Sequence, residues 1–116
     1  MNMPVGPYSP VVRAGEWVVT AGQLGMVDGA LVDGGVAAQA VRALANLRGL
    51  LEGEGASLTD VVKVTVFLVD MGDFAAMNEV YVEAFGGHRP ARSTIAVAAL
   101  PFGAIVEIEA WAWVGA

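Results

Sequence analysis

The chain has 116 residues, 56% of them hydrophobic and 16% charged, and its net charge is −6 with six lysines and arginines in total. We expect one domain, residues 1–116, because this length supports a single hydrophobic core. Clustered cations, which nucleic-acid binding requires, are missing, so no nucleic-acid partner is expected. The absence of cysteine and the single histidine exclude a disulfide framework, a thiolate nucleophile and a histidine-based metal site.

The hydrophobic fraction is high for a soluble domain and requires either a membrane segment or a large buried subunit interface. A spanning helix needs about 20 nearly uninterrupted apolar residues, but Pro101 and Gly103 break the longest apolar stretch, residues 95–106. Residues 1–10 contain three prolines and no basic residue, so no signal peptide is expected. We therefore expect no membrane partner, a cytoplasmic location and an oligomer.

The first half of the chain predicts strands followed by a helix. Residues 11–13 and 17–21 form a predicted hairpin around Ala14-Gly15-Glu16, and Asp28-Gly29 indicates another small hairpin within residues 24–31. After a loop at residues 33–35, apolar residues recur at helical spacing until Gly53 and Gly55. The predicted apolar stripe is Val36, Ala40, Val41, Leu44, Leu47 and Leu51, with Gln39, Arg42 and Arg48 elsewhere.

The second half predicts a strand, a helix and two further strands. In the strand at residues 60–68, Val62, Val64, Val66 and Leu68 are predicted to share one face. A helix capped by Asp70 or Asp73 is predicted to run to about residue 85, with the stripe Phe74, Met77, Tyr81 and Ala84. Strands follow at about residues 92–98 and 106–114. The predicted fold class is α+β, a mixed sheet with both helices on one face.

The last strand has two contrasting faces. Small apolar residues suited to lie beneath helices alternate with Glu107, Glu109, Trp111 and Trp113. Two neighbouring tryptophans are unusual on a solvent face, and two glutamates are unusual in a core. We interpret this face as a half-buried subunit interface, with a solvated face as the alternative.

Two charged residues are candidates for chemistry. Arg92 opens a predicted strand, and arginine binds carboxylate or phosphate through two parallel hydrogen bonds. Glu107 lies among aromatic residues, where a carboxylate can hold or activate a water molecule. The alternatives are a surface ion pair for Arg92 and a structural ion pair between Arg92 and Glu107.

Other polar residues carry weaker indications. Asn78 lies beside the apolar stripe of the second helix and binds either a ligand or a loop. Tyr8 lies in a proline-flanked segment that we expect to be docked on the domain. His88 is interpreted as a loop residue, and no glycine pattern for phosphate binding occurs.

Seven motifs then occur in order between Gly6 and Trp113. They are Gly6-Pro7-Tyr8-Ser9, Ala21-Gly22-Gln23, residues 61–68, Asp73-Phe74 with Asn78 and Tyr81, Pro90-Ala91-Arg92-Ser93, Leu100-Pro101 and Val106-Glu107-Ile108-Glu109. Together they resemble the Rid family of reactive intermediate deaminases, also called the YjgF or L-PSP family.

The resemblance implies a chorismate-mutase-like fold and a homotrimer, with a central β-barrel, helices outside and clefts between subunits. It implies an enzyme of the 2-iminobutanoate/2-iminopropanoate deaminase type, a hydrolase that converts enamines and imines such as 2-aminoacrylate to 2-keto acids and ammonia without a cofactor. Arg92 matches the arginine that binds the substrate carboxylate, and Glu107 matches the acid that positions water. The implied substrate-binding residues are Tyr8, Gly22, Asn78 and Thr94, and no metal is implied.

The chain departs from well-known deaminases of the family at three positions. Ala21 and Pro10 stand where serine and glutamine are common, and Thr94 stands where some members have cysteine. Two alternative functions are a non-catalytic regulatory trimer that binds small carboxylates and an endoribonuclease or translation inhibitor, a label that some family members carry.

Overall fold

The computed structural model describes residues 3–116, which contain a mixed sheet and two α-helices in the predicted order. The helices are α1, Gly35–Gly53, and α2, Phe74–Phe85. The strands are β1, Val11–Ala14, β2, Trp17–Thr20, β3, Gln23–Leu24, β4, Met26–Val27, β5, Ala30–Leu31, β6, Val61–Leu68, β7, Ala91–Ala96, and β8, Val106–Trp113.

The main sheet has the strand order β1-β2-β8-β6-β7, and the short β3 also pairs with β8, beyond β2. β6 and β7 are parallel, whereas the other pairs are antiparallel, so the predicted mixed sheet is confirmed. β4 and β5 form a separate hairpin around Asp28 and Gly29, as the turn signal predicted. β7 lies at an edge, and within residues 3–116 no strand pairs with its outer side.

Both helices pack on one face of this sheet, as predicted. Alternation along β6 and β8 places a set of fully buried side chains on that face: Val64, Val66, Leu68, Val106, Ile108, Ala110 and Ala112. Leu47 and Leu51 of α1 and Met77 of α2 complete this core. Small residues in β8 leave room for α1, which packs against that strand.

The predicted face of β6 is wrong at its first residues. Val61 is 1% exposed and Val62 is 42% exposed, which reverses the prediction that Val62 shares the face of Val64. The pairing with β8 has an irregularity between Val61 and Lys63. Such a bulge places an extra residue on one strand and shifts the alternation of faces, which hydropathy alone does not reveal.

The helix stripes also need correction. Gln39, predicted on the polar face of α1, is 7% exposed, whereas Val41, predicted in the stripe, is 58% exposed. The buried amide is satisfied because its Oε1 accepts a hydrogen bond from the backbone N–H of Ile105, at 3.0 Å. In α2, Phe74 is 39% exposed and Phe85 is 5% exposed, so the buried residues of this helix are Met77, Tyr81 and Phe85 rather than a stripe that begins at Phe74.

The opposite face of the sheet carries no helix and exposes aromatic residues. Trp17 of β2 packs edge-on against Trp111 and Trp113 of β8, with ring centroids 5.9 and 5.1 Å apart. All three rings remain substantially exposed, and Glu107 and Glu109 lie half-buried on the same face. We call this surface the open face. Among residues 3–116, no helix combines the length and apolar character needed to cross a membrane.

Candidate active site

Arg92 projects from β7 towards the helices. It is the parallel partner of Val64, whose side chain is buried beneath the helices. Its Nη2 donates a hydrogen bond to Oδ1 of Asn78, at 2.7 Å, and its Cζ lies 4.6 Å from the Tyr81 ring centroid and 5.5 Å from that of Phe74. These three residues lie on successive turns of one side of α2. The helix therefore fixes the plane of the guanidinium by cation–π contacts and one hydrogen bond.

No carboxylate pairs with Arg92 within residues 3–116, so the predicted alternative of an ion pair is not formed in the chain. A guanidinium has five N–H donors in a planar fork, and its hydrogen-bond partner in this part of the chain is the oxygen of Asn78. Donors of the fork thus remain for an anion. A planar carboxylate suits such donors because it accepts two parallel hydrogen bonds.

Two buried hydroxyl groups near Arg92 lack partners in the described part of the chain. They belong to Thr94, the parallel partner of Val66 on the same face, and to Tyr81. Burial raises the pKa of the Tyr81 phenol, although the charges of Arg92 and Arg89 oppose this rise. A buried hydroxyl without a partner is destabilising by about 1–3 kcal/mol. Such groups are uncommon and mark positions where a ligand or water completes the hydrogen bonding.

Glu107 projects from the other face of the sheet. It is the register partner of Phe67, and its side chain lies half-buried on the open face. Gly22 packs directly against it, since a Cβ at that position would lie 2.5 Å from Oε2 of Glu107. Burial raises the pKa of the Glu107 carboxyl, and the nearby charge of Glu109 raises it further. This carboxyl is thereby a better proton acceptor near neutral pH than an ordinary surface glutamate.

Tyr8 is docked beside the Gly22 segment. The backbone N–H of Ala21 donates to the carbonyl of Pro10, at 2.8 Å, which attaches the N-terminal segment to the end of β2. Tyr8, Gly22 and Phe102 line a cavity of about 50 Å³. The remaining lining residues are mostly apolar: Met3, Pro4, Val5, Pro10, Gln23, Leu24, Met26 and Leu50.

The predicted site residues thus form two groups, the arginine group of Asn78, Arg92 and Thr94 and the glutamate group of Tyr8, Gly22 and Glu107. Within one chain the groups do not meet, because Arg92 and Glu107 project from opposite faces of the sheet and β6 lies between their strands. Each group is nevertheless locally ordered. The arginine group lies at the sheet edge, and the glutamate group lies beside the open face.

Some features of the site were not predicted. The sequence placed Phe74 and Tyr81 in a buried stripe, and their contact with Arg92 depends on how α2 lies over β7. His88 is a loop residue, as interpreted, and its Nε2 lies 2.7 Å from the carbonyl oxygen of Val61. A larger cavity of about 590 Å³ lies between the helices and contains none of the predicted residues; it is lined by Val41, Leu44, Ala45, Arg48, Leu58, Glu79, Val80, Glu83 and Ala84.

Known proteins resemble the chain along nearly its whole length. The profile of the family described as Endoribonuclease L-PSP matches residues 2–114. The bovine 2-iminobutanoate/2-iminopropanoate deaminase is 47% identical over 108 residues, covering 91% of this chain and 79% of the relative. The crystal structure of RidA from an Antarctic Psychrobacter has a TM-score of 0.92 at 42% identity and covers 96% of this chain and 91% of that one.

The structure of Escherichia coli TdcF with bound serine is similar as well. Its TM-score is 0.90 at 38% identity, and the match covers 95% of this chain and 90% of that one. The family resemblance found in the sequence motifs is therefore confirmed, and the chain belongs to the L-PSP family, also called the Rid or YjgF family.

Proposed function

We propose that the protein hydrolyses reactive imines and enamines of the 2-aminoacrylate type to 2-keto acids and ammonia, without a cofactor. The carrying observation is Arg92, a guanidinium held in one plane by α2 and left with donors that no carboxylate of residues 3–116 occupies. Support comes from the name of the bovine relative, a 2-iminobutanoate/2-iminopropanoate deaminase. The bound serine of TdcF adds support, because serine also carries an α-carboxylate.

The protein needs only to bind the substrate, position a water molecule and transfer protons, because the carbon of an imine is already electrophilic. Arg92 holds the substrate carboxylate by two hydrogen bonds, and the Thr94 hydroxyl supplies another polar contact. The oxygen of a water molecule adds to the imine carbon while Glu107 positions the water and accepts its proton. The proton then reaches the nitrogen and gives a carbinolamine. The hydroxyl proton of this carbinolamine passes to the nitrogen as the carbon–nitrogen bond breaks, which releases ammonia and a 2-keto acid; an enamine enters this sequence after tautomerising to its imine.

We further propose that the complete site forms between subunits of a homotrimer. The two groups are separated within one chain, so a neighbour must supply its glutamate group to the arginine group. The unpaired outer side of β7 and the exposed aromatic rings of the open face support this arrangement. In the trimer, the open faces of the three sheets line a central barrel and the helices lie outside.

A charge on the open face is expected to break the assembly. We predict that Trp111→Glu elutes at the mass of one chain, 11.9 kDa, whereas the wild type elutes at three times that mass. A buried unpaired carboxylate is strongly unfavourable in such an interface. The measurement is light scattering after size exclusion. The matched control is Val41→Glu on the exposed side of α1, which should remain a trimer, and a monomeric wild type would contradict the proposed assembly.

The catalytic proposal is tested by a coupled assay. A serine dehydratase generates 2-aminoacrylate in situ, and pyruvate release is followed with and without the protein. We expect a clear acceleration over buffer, because spontaneous hydrolysis lacks a bound orientation. Pyruvate release at the buffer rate would reject hydrolysis of 2-aminoacrylate by this protein.

A second candidate is a regulatory trimer that binds small carboxylates without turnover. It is favoured by the placement of the arginine group, which is complete for carboxylate binding without Glu107. Saturable binding of a 2-keto acid with no acceleration of any imine would support it. RNA cleavage is not proposed, because the six cations are spread over the chain and the single histidine is bound to the carbonyl of Val61.

A further inference from the structure

Phe102 has a backbone conformation that its residue type disfavours. It lies in a short turn, Pro101–Gly103, with φ of 61° and ψ of 17°, the left-handed region. The other non-glycine residue with positive φ in the described part of the chain is Asp28, in the β4–β5 hairpin. Aspartate tolerates this region through its short polar side chain, whereas phenylalanine has no such compensation.

Folding does not account for this strain. The Phe102 side chain is 58% exposed, so it fills no core, and no ring pair involves it within residues 3–116. The surroundings nevertheless hold the turn in place, since Ala104 is buried and its N–H donates to the carbonyl of Pro101, at 3.1 Å. Strain of this kind persists where surrounding structure enforces it, and it is concentrated at functional sites.

Phe102 lies beside the candidate site, where its strained backbone positions the ring. Its side chain lines the small cavity together with Tyr8 and Gly22, and Gly22 packs against the carboxyl of Glu107. The exposed Phe102 ring therefore lies beside the residues of the glutamate group, Tyr8, Gly22 and Glu107. The cavity wall beside it is mostly apolar, with Leu24 and Met26 among its residues. An aromatic ring in an apolar wall binds apolar groups by burying their surface.

We infer that Phe102 is a specificity-determining residue that selects imines with large apolar side chains, from aliphatic or aromatic amino acids, over 2-aminoacrylate. This inference rests on the proposed function. With the carboxylate on Arg92 and the imine carbon beside Glu107, the remaining substituent faces the wall that Phe102 and Tyr8 form. The cavity of about 50 Å³ is too small for such a side chain, so the side chain lies against the exposed Phe102 ring. Each methylene buried against that ring is worth about fourfold in binding, so a branched or aromatic side chain gains roughly tenfold or more.

The test compares substrates in wild type and Phe102→Asn. An L-amino acid oxidase with catalase generates imines from leucine and phenylalanine, and a serine dehydratase generates 2-aminoacrylate. Asparagine tolerates the left-handed region and is polar, so this variant keeps the turn and removes the apolar ring. We expect the ratio of kcat/KM for the phenylalanine imine to that for 2-aminoacrylate to fall roughly tenfold. The midpoint of thermal unfolding should not fall. The control Val82→Ala, at an exposed site on α2, should change neither the ratio of kcat/KM values nor the midpoint of thermal unfolding.

The outcomes separate this inference from the proposed function. If the wild type hydrolyses imines and the ratio in Phe102→Asn is unchanged, the inference is overturned and the hydrolase stands. If the wild type accelerates no imine, the hydrolase proposal fails. The role of Phe102 is then tested by calorimetry, which compares the affinities of wild type and Phe102→Asn for 4-methyl-2-oxopentanoate and for pyruvate. A preference for the larger keto acid that Phe102→Asn abolishes supports the inference, and equal affinities in both proteins overturn it.

Discussion

Replacing Arg92 by alanine is expected to lower kcat/KM for 2-aminoacrylate by about 100-fold or more. A charged hydrogen bond contributes about 1.5–3 kcal/mol, and in the proposed site the substrate carboxylate receives two of them from Arg92. Arg92→Lys should recover little of this loss, because an ammonium group lacks the planar fork and the stacking on Tyr81 and Phe74. The coupled pyruvate assay measures both variants.

The chain offers a matched control for this experiment. Arg42 of α1 also donates to an asparagine oxygen, Oδ1 of Asn46, at 2.7 and 2.9 Å, but it belongs to neither group of the site. Arg42→Ala should keep kcat/KM within about twofold, because it removes an arginine–asparagine contact without removing an anion donor. Equal losses in Arg42→Ala and Arg92→Ala would show that general destabilisation, rather than carboxylate binding, explains the result.

Glu107→Gln is expected to lower kcat by about 100-fold and to change the pH profile. Loss of a positioned proton acceptor typically lowers the rate of the chemical step about 10²–10⁴-fold. Wild-type kcat should fall as the pH decreases through the pKa of Glu107, which burial and Glu109 raise above the usual glutamate range. Glutamine does not titrate, so the variant should lose this acidic limb. Steady-state rates across the pH range measure the effect.

Glu109→Gln is the matched control for this second prediction. It lies on the same face as Glu107, and its charge contributes to the raised pKa. Its removal should shift the acidic limb to lower pH while leaving the maximal rate nearly unchanged. An acidic limb that stays in place in Glu109→Gln, or that survives in Glu107→Gln, would assign the titration to another group.

The raised pKa also gives the stability of Glu107→Gln a definite sign. The Glu107 carboxyl of the folded protein binds a proton more tightly than the same carboxyl of the unfolded chain does. Protonation of Glu107 therefore stabilises the folded state, and this stabilisation is fully present below the ordinary glutamate pKa. It is lost as the pH rises through the raised pKa. At neutral pH the buried charge is therefore unfavourable, and Glu107→Gln should unfold at the same or a higher temperature than the wild type. A lower unfolding temperature would mean that its lost activity reports damage to the fold.

Local patterns were sufficient to predict the elements but not every face. Periods of two and of three to four residues located the strands and helices because each element buries one side. The prediction failed at Val62, where a bulge changes the pairing with β8, and at Gln39, whose burial depends on a hydrogen bond from Ile105. Both failures arise from partners distant in the sequence.

The candidate site shows the same division. Arg92 and Asn78 stood out by residue type, and their hydrogen bond places them together. Strand alternation could not predict that Arg92 and Glu107 project from opposite faces of the sheet. The face on which Arg92 lies depends on the register of β7 with β6. The backbone of Phe102 left no signal either, since an aromatic residue before a glycine does not by itself predict positive φ.

The tryptophan cluster has a practical consequence for spectroscopy. The sequence contains three tryptophans, and Trp17, Trp111 and Trp113 all belong to the cluster on the open face. No indole elsewhere in the molecule dilutes their fluorescence. The emission of the unlabelled protein therefore reports on the solvent exposure of this one surface, and burial of that surface in an assembly is expected to change it.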